Sequence, residues 1–211
     1  MDNLLKGGVF FLFLLFFGCE TNVDTELRYS CFGDCTENLD GEFSTLEDCE
    51  SICDPKPNNI GLMVTVFLYE NCPIAQYMCG PLRNTYRYFC DTLGHNMVFR
   101  GFSPNSLSTE ESLSNFVVKY DIPFTITSDY SEENNEPGLY TQSYLPIVTP
   151  EVFVELNGEL IYRGMIDNSY EALGDWSPPT EHYLVEVLTN VVNDQEIVYF
   201  ETTAIGCFIN Y

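Results

Sequence analysis

The sequence predicts an α/β domain with a central mixed sheet flanked by helices, preceded by a small disulfide-rich segment. Apolar runs of strand length alternate with helix-period stripes across residues 61 to 129, which is typical of strand–helix–strand units. Asn157-Gly158 then separates two further apolar runs, which indicates a β-hairpin, and an amphipathic stretch follows. Several cysteines crowded into residues 29 to 53 indicate the small segment.

The first apolar run is too short to span a membrane. Residues 9 to 17 are uninterrupted apolar residues and would measure about 14 Å as a helix, against a hydrocarbon core of roughly 30 Å. Lys6 precedes the run and Gly18-Cys19 follows it, which is typical of a signal peptide over residues 1 to 18.

This leader resembles a bacterial lipoprotein signal. The resemblance implies that Cys19 is lipidated and that residues 19 to 28 tether the chain to a membrane of the cell envelope, as a periplasmic or surface lipoprotein. The alternative is ordinary secretion, with Cys19 left as a free or paired thiol.

Composition sets the size of the core and disfavours one class of partner. The chain has 211 residues, 45% of them hydrophobic, which is enough for one main domain and a small attachment. It carries 32 acidic and 8 basic residues, a formal net charge of −24. Such a surface repels phosphate backbones, so we do not expect nucleic acid as a partner.

The small segment has a regular cysteine spacing. Cys31 and Cys35 are followed after thirteen residues by Cys49 and Cys53, a C-x3-C pair on each side. So few residues cannot build a core alone, and export provides an oxidising environment, so we expect two disulfides. Structural zinc is the alternative interpretation.

A helix should carry the second pair of these cysteines. Ser44 and Glu47 form a capping-box pattern, which predicts a helix start that places Cys49 and Cys53 on one face. They should pair with the earlier two cysteines in an order that the sequence does not fix. Residues 54 to 60 are polar and proline-rich, which predicts a linker before a main domain over residues 61 to 211.

The first half of the main domain reads as β-α-β-α-β. Residues 61 to 69 form an apolar, β-branched run suited to the buried centre of a sheet. A helical stripe follows and should end at Gly94, and a short strand is expected over residues 97 to 102. Ser108 and Glu111 predict the capping box of a second helix, and residues 122 to 129 a third strand.

The second half supplies a hairpin and a closing helix. Asn157-Gly158 lies within residues 148 to 164 and predicts two antiparallel strands joined by a tight turn. Leucine and valine residues at helical spacing predict a last helix near residues 181 to 192.

From residue 61 onward the chain resembles thioredoxin-fold proteins of the redoxin and peroxiredoxin-like group. The resemblance rests on Cys72-Pro73 at a strand-to-helix turn, Ile122-Pro123-Phe124, Asp129, Thr149-Pro150 before the hairpin, and Gly164 after it. It implies a thioredoxin-like fold and thiol-disulfide exchange with protein thiols or disulfides, or with a redox donor protein. It implies no cofactor and no metal.

The same resemblance implies where the chemistry lies. The Thr149-Pro150 peptide should be cis and should lie against Cys72, with Pro73 beginning the helix. At the amino end of a helix, free N–H groups stabilise a thiolate by about 0.3 to 1 kcal/mol, whereas Glu70 and the negative surface oppose it. The alternative is that Cys72 is a buried, inert cysteine.

The partner of Cys72 is not the usual one. The C-x-x-C pattern would place a cysteine where Ala75 stands. Cys79 lies seven helical residues from Cys72, about 10 Å and beyond the roughly 7 Å limit for a disulfide, unless Gly80-Pro81 breaks the helix.

Cys207, preceded by Gly206, is therefore the expected resolving cysteine for a Cys72 nucleophile. The alternatives are permanent structural bridges, either Cys79–Cys207 or Cys72–Cys207. Cys90 should pack in the core.

The sequence leaves three alternatives to thiol-disulfide exchange. Peroxiredoxins hold peroxide with P-x-x-x-T-x-x-C, but the corresponding positions are Thr65 and Tyr69, which weakens the prediction of a peroxidase. Copper delivery would use cysteines with an imidazole such as that of His182. Finally, the fold could act as a non-enzymatic binding module that meets a basic partner.

Overall fold

A computed structural model describes residues 28 to 32, 34 to 38, 41, 43 to 53 and 61 to 210. The predicted signal peptide, the lipidation site Cys19 and the linker lie outside these residues, and the predicted domain boundaries remain predictions. Within the described residues, none of the helices is both long and apolar enough to cross a bilayer.

The small segment contains a two-stranded hairpin and a helix. These are β1 (Arg28–Phe32), β2 (Asp34–Asn38) and α1 (Leu46–Cys53). Cys35 and Cys49 form a disulfide with a Cα–Cα distance of 5.9 Å, so this pairing settles one half of the predicted connectivity. The side chains of Cys31 and Cys53 lie outside the described part.

The predicted cap of α1 was wrong by one residue. Thr45 Oγ1, and not the Ser44 side chain, accepts a hydrogen bond from the backbone N–H of Asp48, at 3.1 Å. The Thr45 hydroxyl in turn donates to the Asp48 carboxylate, at 2.7 Å. The helix therefore begins one residue later than the Ser44–Glu47 pattern implied.

The main domain contains the remaining helices and strands. In chain order they are β3 (Leu62–Phe67), α2 (Pro73–Tyr86), a π-helical segment (Arg87–Thr92), β4 (Val98–Ser103), α3 (Glu110–Tyr120), β5 (Ile126–Ser128), β6 (Tyr130–Ser131), β7 (Glu136–Pro137), α4 (Leu139–Tyr144), β8 (Val148–Thr149), β9 (Glu151–Leu156), β10 (Glu159–Gly164), β11 (Tyr170–Ala172), β12 (Asp175–Trp176), α5 (Tyr183–Val192), β13 (Phe200–Glu201) and β14 (Cys207–Phe208).

The central sheet has the predicted mixed character. Its six strands lie in the order β13-β10-β9-β3-β4-β5. β3, β4 and β5 run parallel, and β9 lies antiparallel to both β3 and β10. The chain order β3-α2-β4 followed by the β9-β10 hairpin and α5 is that of a thioredoxin-like fold, which confirms the predicted fold class.

Alternation along the strands gives each face of the sheet its own core. Val64 and Val66 of β3 belong to the large cluster with residues of α2, α3 and α5, whereas Phe67 packs with Tyr140 of α4. Successive strand residues point to opposite faces. The helices α2, α3 and α5 therefore cover one face, and the short α4, which the sequence did not predict, covers part of the other.

The hairpin prediction was confirmed in detail. Asn157 and Gly158 connect β9 to β10 with φ values of 54° and 81°. Both values lie in the left-handed region that a two-residue type I′ turn requires.

Two predicted element limits were wrong. The third strand covers only Ile126–Ser128, because Asp121 ends α3 with φ 53° and the Ile122 N–H is still bonded to the Val117 carbonyl. In α3 the capping box is formed by Thr109 and Ser112, not by Ser108 and Glu111. Ser108 is buried, and its hydroxyl is bonded inside the protein.

The suggested helix break at Gly80-Pro81 is also wrong. α2 continues through Pro81 to Tyr86, and the Thr85 hydroxyl donates to the Pro81 carbonyl at 2.9 Å. The helix carries on as the π-helical segment and stops before Gly94, whose φ is 70°. Because α2 is continuous, the distance between its first turn and Cys79 is fixed.

Candidate functional site

The site begins with Cys72, which is the N-cap residue of α2. Its backbone is extended, with φ −82° and ψ 118°, and Pro73 occupies the first turn, where its missing N–H costs nothing. The Cys72 carbonyl accepts from the Gln76 N–H at 2.9 Å, which closes that turn. The side chain accepts no capping hydrogen bond. This geometry confirms that the sulfur is at the positive end of a helix.

Cys72 is disulfide-bonded to Cys207, with a Cα–Cα distance of 5.9 Å and a sequence separation of 135 residues. Cys207 thus lies at the turn that begins α2, beside Cys72 as the sequence predicted, and the alternative Cys79–Cys207 bridge is wrong. In this disulfide-bonded state the Cys72 side chain is 0% exposed. Cys207 remains partly exposed.

The Thr149-Pro150 peptide is cis, as the resemblance implied. The Cys72 Sγ lies 3.2 Å from the Thr149 carbonyl oxygen. A disulfide sulfur has no hydrogen, so this is a non-bonded contact in the oxidised protein. In the reduced protein the same distance suits a thiol S–H donating to that carbonyl.

An ion pair anchors the bend that contains Pro150. Arg163 donates to Glu151 Oε1 through Nε at 3.0 Å and Nη2 at 2.6 Å, and the Glu151 side chain is almost fully buried. The other oxygen of Glu151 accepts from the Ile147 N–H at 2.7 Å. The short strand β8 is therefore held from both ends, a role that nothing in the sequence pattern of Glu151 or Arg163 indicated.

The chain around Cys207 lies along β8. β14 pairs antiparallel with β8, so that Cys207 faces Thr149 and Phe208 faces Val148. A Cβ atom at Gly206 would lie 2.3 Å from the Thr149 carbonyl oxygen, so only glycine permits this approach. The structure therefore requires glycine at position 206 for close packing against Thr149.

The carboxylate of Glu70 is turned toward α3. It is buried and accepts hydrogen bonds from the hydroxyls of Ser108 and Ser112, each at 2.7 Å. The sequence predicted that Glu70 would oppose a Cys72 thiolate. The structure gives this carboxylate two hydroxyl donors, which link the turn before α2 to the start of α3.

The two free cysteines among the described residues are poorly suited to redox work. Cys79 is buried and its thiol donates to the Ala75 carbonyl at 3.1 Å, and burial raises its pKa to about 12. Cys90 packs at the edge of the core, as expected, and burial raises its pKa to about 11. Both shifts disfavour the thiolate, which is the reactive form.

The positions that correspond to the peroxide-binding residues are occupied differently here. Thr65 is fully buried within β3, and its hydroxyl accepts from Arg100 Nε at 2.9 Å. Tyr69 is partly buried, and its hydroxyl accepts from the Asn71 amide.

No cluster of three or more potential metal ligands occurs in the described ranges. His182 is the exposed N-cap residue of α5. It lines a cavity of about 530 Å³ with Tyr77 and Pro81. A second cavity of about 660 Å³ lies between the small segment and residues near Asp129. The linings of these two cavities do not include Cys72 or Cys207.

Comparisons with known proteins support the fold. No protein-family model matches the chain, and no curated protein matches it in sequence. Its fold is similar to that of an uncharacterised conserved protein from Geobacillus kaustophilus, with a TM-score of 0.64, 16% identity and 89% of each chain covered. It is also similar to a hypothetical protein from Sinorhizobium meliloti, with a TM-score of 0.61, 16% identity, and 89% of this chain and 92% of that one covered.

A more partial similarity links the chain to a secreted disulfide oxidoreductase from Mycobacterium tuberculosis. The TM-score is 0.40 at 13% identity, with 65% of this chain and 81% of that one covered. Fold and site together define the class: a thioredoxin-fold protein in which the cysteine that caps the first helix is bonded to a cysteine far along the chain.

Proposed function

We propose that the protein is a thiol-disulfide oxidoreductase in which Cys72 and Cys207 alternate between a dithiol and a disulfide. The observation that carries the proposal is the Cys72–Cys207 bond itself, formed at a helix N-terminus beside the cis Thr149-Pro150 peptide. The helix end favours Cys72 as a thiolate, which makes it both a nucleophile and a good leaving group.

The cycle has two exchange stages. In the reduced protein the Cys72 thiolate attacks a substrate disulfide, forming a mixed disulfide and releasing one substrate thiolate. Cys207 then loses its proton and attacks the Cys72 sulfur, which forms the internal disulfide and releases the second substrate thiol. A dithiol donor protein supplies two electrons to restore the starting state. Protein thiols or disulfides are thus both substrate and donor.

The finer assignment is a redoxin of the peroxiredoxin-like group that is exported and lipid-anchored through Cys19. The support for export and lipidation is the sequence alone, namely residues 1 to 18 and the Gly18-Cys19 pair. The support for the redoxin group is the resemblance carried by Cys72-Pro73 and Thr149-Pro150. Disulfides persist in exported proteins, which fits the Cys35–Cys49 bond in the small segment.

An insulin-reduction assay with dithiothreitol tests the proposal. The wild-type protein should accelerate insulin reduction, Cys72→Ser should abolish the acceleration, and Cys207→Ser should slow multiple turnover. Cys90→Ser is the matched control, because this free cysteine is partly exposed, as Cys207 is, and lies outside the site. Activity that survives in Cys72→Ser would contradict the proposal and favour a binding module or a structural bridge. A parallel peroxide-consumption assay separates a peroxidase from a disulfide reductase.

A further inference from the structure

The segment that carries Cys207 occupies an edge that another polypeptide could use. We propose that residues 205 to 210, here called the strap, cover a docking edge formed by β8. Reduction of Cys72–Cys207 releases the strap, and the edge then binds an extended, cysteine-bearing polypeptide with apolar side chains. This inference rests on the proposed function, since it describes how a substrate reaches Cys72.

Burial of Cys72 requires such a movement. The strap holds Cys207 against Cys72, whose side chain is 0% exposed, so no substrate disulfide can contact this sulfur while the strap is in place. The Cys72 thiolate must approach a substrate sulfur along the axis of the substrate S–S bond. One side of Cys72 must therefore be open to the substrate. The segment next to Cys207 is therefore the part that must move.

The strap is held mainly through its backbone. β8 pairs only with β14 among the described strands, and both strands are two residues long. Beyond them, the Asn210 carbonyl accepts from the Ser106 N–H at 2.9 Å and the Asn210 N–H donates to Asn105 Oδ1 at 2.7 Å. Backbone pairing of this kind is open to any extended chain, so a substrate segment could form the same ladder.

The fit between strap and protein is incomplete. Three buried side-chain polar atoms lack a hydrogen-bond partner in the described part of the chain, and two of them belong to residues that contact the strap. These are Thr149 Oγ1 and Asn105 Nδ2, and the Thr149 side chain is 0% exposed. Buried polar groups are normally paired. The strap therefore leaves hydrogen-bonding capacity at this edge that a different polypeptide could use.

Exposed apolar side chains surround the same edge and indicate the character of the partner. Phe208 is 79% exposed although it lies in β14, and Ile147 and Leu107 are also largely exposed. Ile147 precedes Val148, which faces Phe208, and Leu107 follows Ser106, which bonds Asn210. An unfolded or extended segment with apolar residues beside its cysteine matches this surface, whereas a highly charged segment does not.

Reduction of the Cys72–Cys207 disulfide by a dithiol releases the strap. A dithiol such as dithiothreitol attacks Cys207 Sγ, the S–S bond breaks, and Cys72 leaves as a thiolate. The second thiol of the reagent then displaces Cys207, so that the reagent ends as a cyclic disulfide and the protein as a dithiol. The strap is then held only by its short backbone pairing and the contacts of Asn210.

Peptide binding followed by fluorescence anisotropy tests the proposal on the full chain. The probe is a fluorescein-labelled peptide with the sequence of residues 203 to 210, in which serine replaces the cysteine so that no covalent bond forms. The apparent Kd should fall roughly tenfold or more when the protein is reduced, because the binding-competent fraction is close to zero while the strap is bonded. Equal binding in both redox states, or binding in neither, overturns the proposal.

Gly206→Ala provides a variant that leaves both cysteines in place. Its Cβ would meet the Thr149 carbonyl at 2.3 Å, so the strap should dock poorly and the reduced variant should bind the peptide several-fold more tightly than wild type. Gly80→Ala is the matched control, since a Cβ there meets nothing within 4 Å. If Gly206→Ala binds no more tightly than Gly80→Ala, the strap does not compete for this edge and the proposal fails.

Amide hydrogen exchange, measured on the wild-type protein, distinguishes failure of the strap proposal from failure of the proposed oxidoreductase function. Reduction should increase exchange at residues 148 to 149 and 206 to 209 together. If exchange stays unchanged while insulin reduction depends on Cys72, the strap proposal fails and the proposed function stands. If exchange increases but insulin reduction is absent, the strap stands and the oxidoreductase function fails.

Discussion

Cys72 and Cys207 form one disulfide whose two sulfurs have unequal access to solvent. The Cys72 side chain is 0% exposed and belongs to the core cluster, whereas Cys207 is partly exposed and only packs against that cluster. An incoming thiolate must approach the sulfur it attacks along the S–S axis. In the proposed cycle, a donor thiolate should therefore attack the sulfur of Cys207.

A monothiol should consequently attack Cys207 and expel Cys72. Brief treatment of the oxidised protein with glutathione, quenched by N-ethylmaleimide, should place glutathione on Cys207 and maleimide on Cys72. We expect roughly tenfold more of this product than of the one with glutathione on Cys72 and maleimide on Cys207. The reason is that Cys207 is the more exposed sulfur, and Cys72 at the helix end is the better leaving thiolate. Peptide mapping by mass spectrometry measures the ratio, and glutathione found mainly on Cys72 would contradict the expectation.

Cys79 should remain unreactive in the folded protein. Burial raises its pKa to about 12, so on the order of one molecule in ten thousand carries the thiolate at pH 8. Iodoacetamide added to the reduced native protein should label Cys207 readily and leave Cys79 unlabelled. In urea Cys79 and Cys207 should react with iodoacetamide at similar rates. Native labelling of Cys79 at the rate of Cys207 would show that α2 opens, contrary to its continuous helical geometry.

Arg100 should matter for stability more than an exposed arginine does. Arg100 is 5% exposed, donates to Thr65 and Tyr144, and lies 4.7 Å from the centre of the Tyr140 ring. Arg100→Met should lower the free energy of unfolding by about 3 kcal/mol, because it removes hydrogen bonds from a charged donor in a buried site.

Arg87→Met is the matched control for this change. Its ion pair with Asp121 joins side chains that are 49% and 67% exposed, and such surface pairs contribute about 1 kcal/mol or less. Urea denaturation of the oxidised proteins measures both variants. Equal decreases in the free energy of unfolding for Arg100→Met and Arg87→Met would show that the buried hydrogen bonds of Arg100 add no more stability than a surface ion pair.

Asp129 should make stability depend on pH in the direction opposite to a salt-bridged carboxylate. Burial raises its pKa above the ordinary value, even though Thr141 donates to it through both N–H and hydroxyl. The folded state thus binds the proton more tightly than the unfolded chain does. The resulting stability is fully present below the unfolded pKa of about 3.9 and is lost as pH rises through the folded pKa.

Comparison with Asp129→Asn isolates this contribution from those of the other carboxylates. The free energy of unfolding of wild type minus that of the variant should decrease as pH rises from the acid range toward neutrality, and then become constant. A difference that instead increases with pH would mean that the folded state lowers the pKa of Asp129.

The sequence by itself determined the parts of this protein that depend on local pattern. Strand length and apolar runs predicted β3, β4 and the two hairpin strands, and Asn157-Gly158 predicted the turn between them, because these features need only neighbouring residues. Helix ends were less certain, since Ser44 or Thr45, and Ser108 or Thr109, satisfy the same capping rule one residue apart. In both helices the later residue became the cap.

Only the tertiary structure decided how distant residues combine at the site. It selected the Cys72–Cys207 bond, across 135 residues, from the alternatives that the sequence left open. It also turned the Glu70 carboxylate toward Ser108 and Ser112, and made Gly206 a point of close packing. It also buried Cys72 completely, which the sequence had given only as an alternative. Burial and long-range pairing depend on what packs against a residue from elsewhere in the chain, and local spacing carries no information on that.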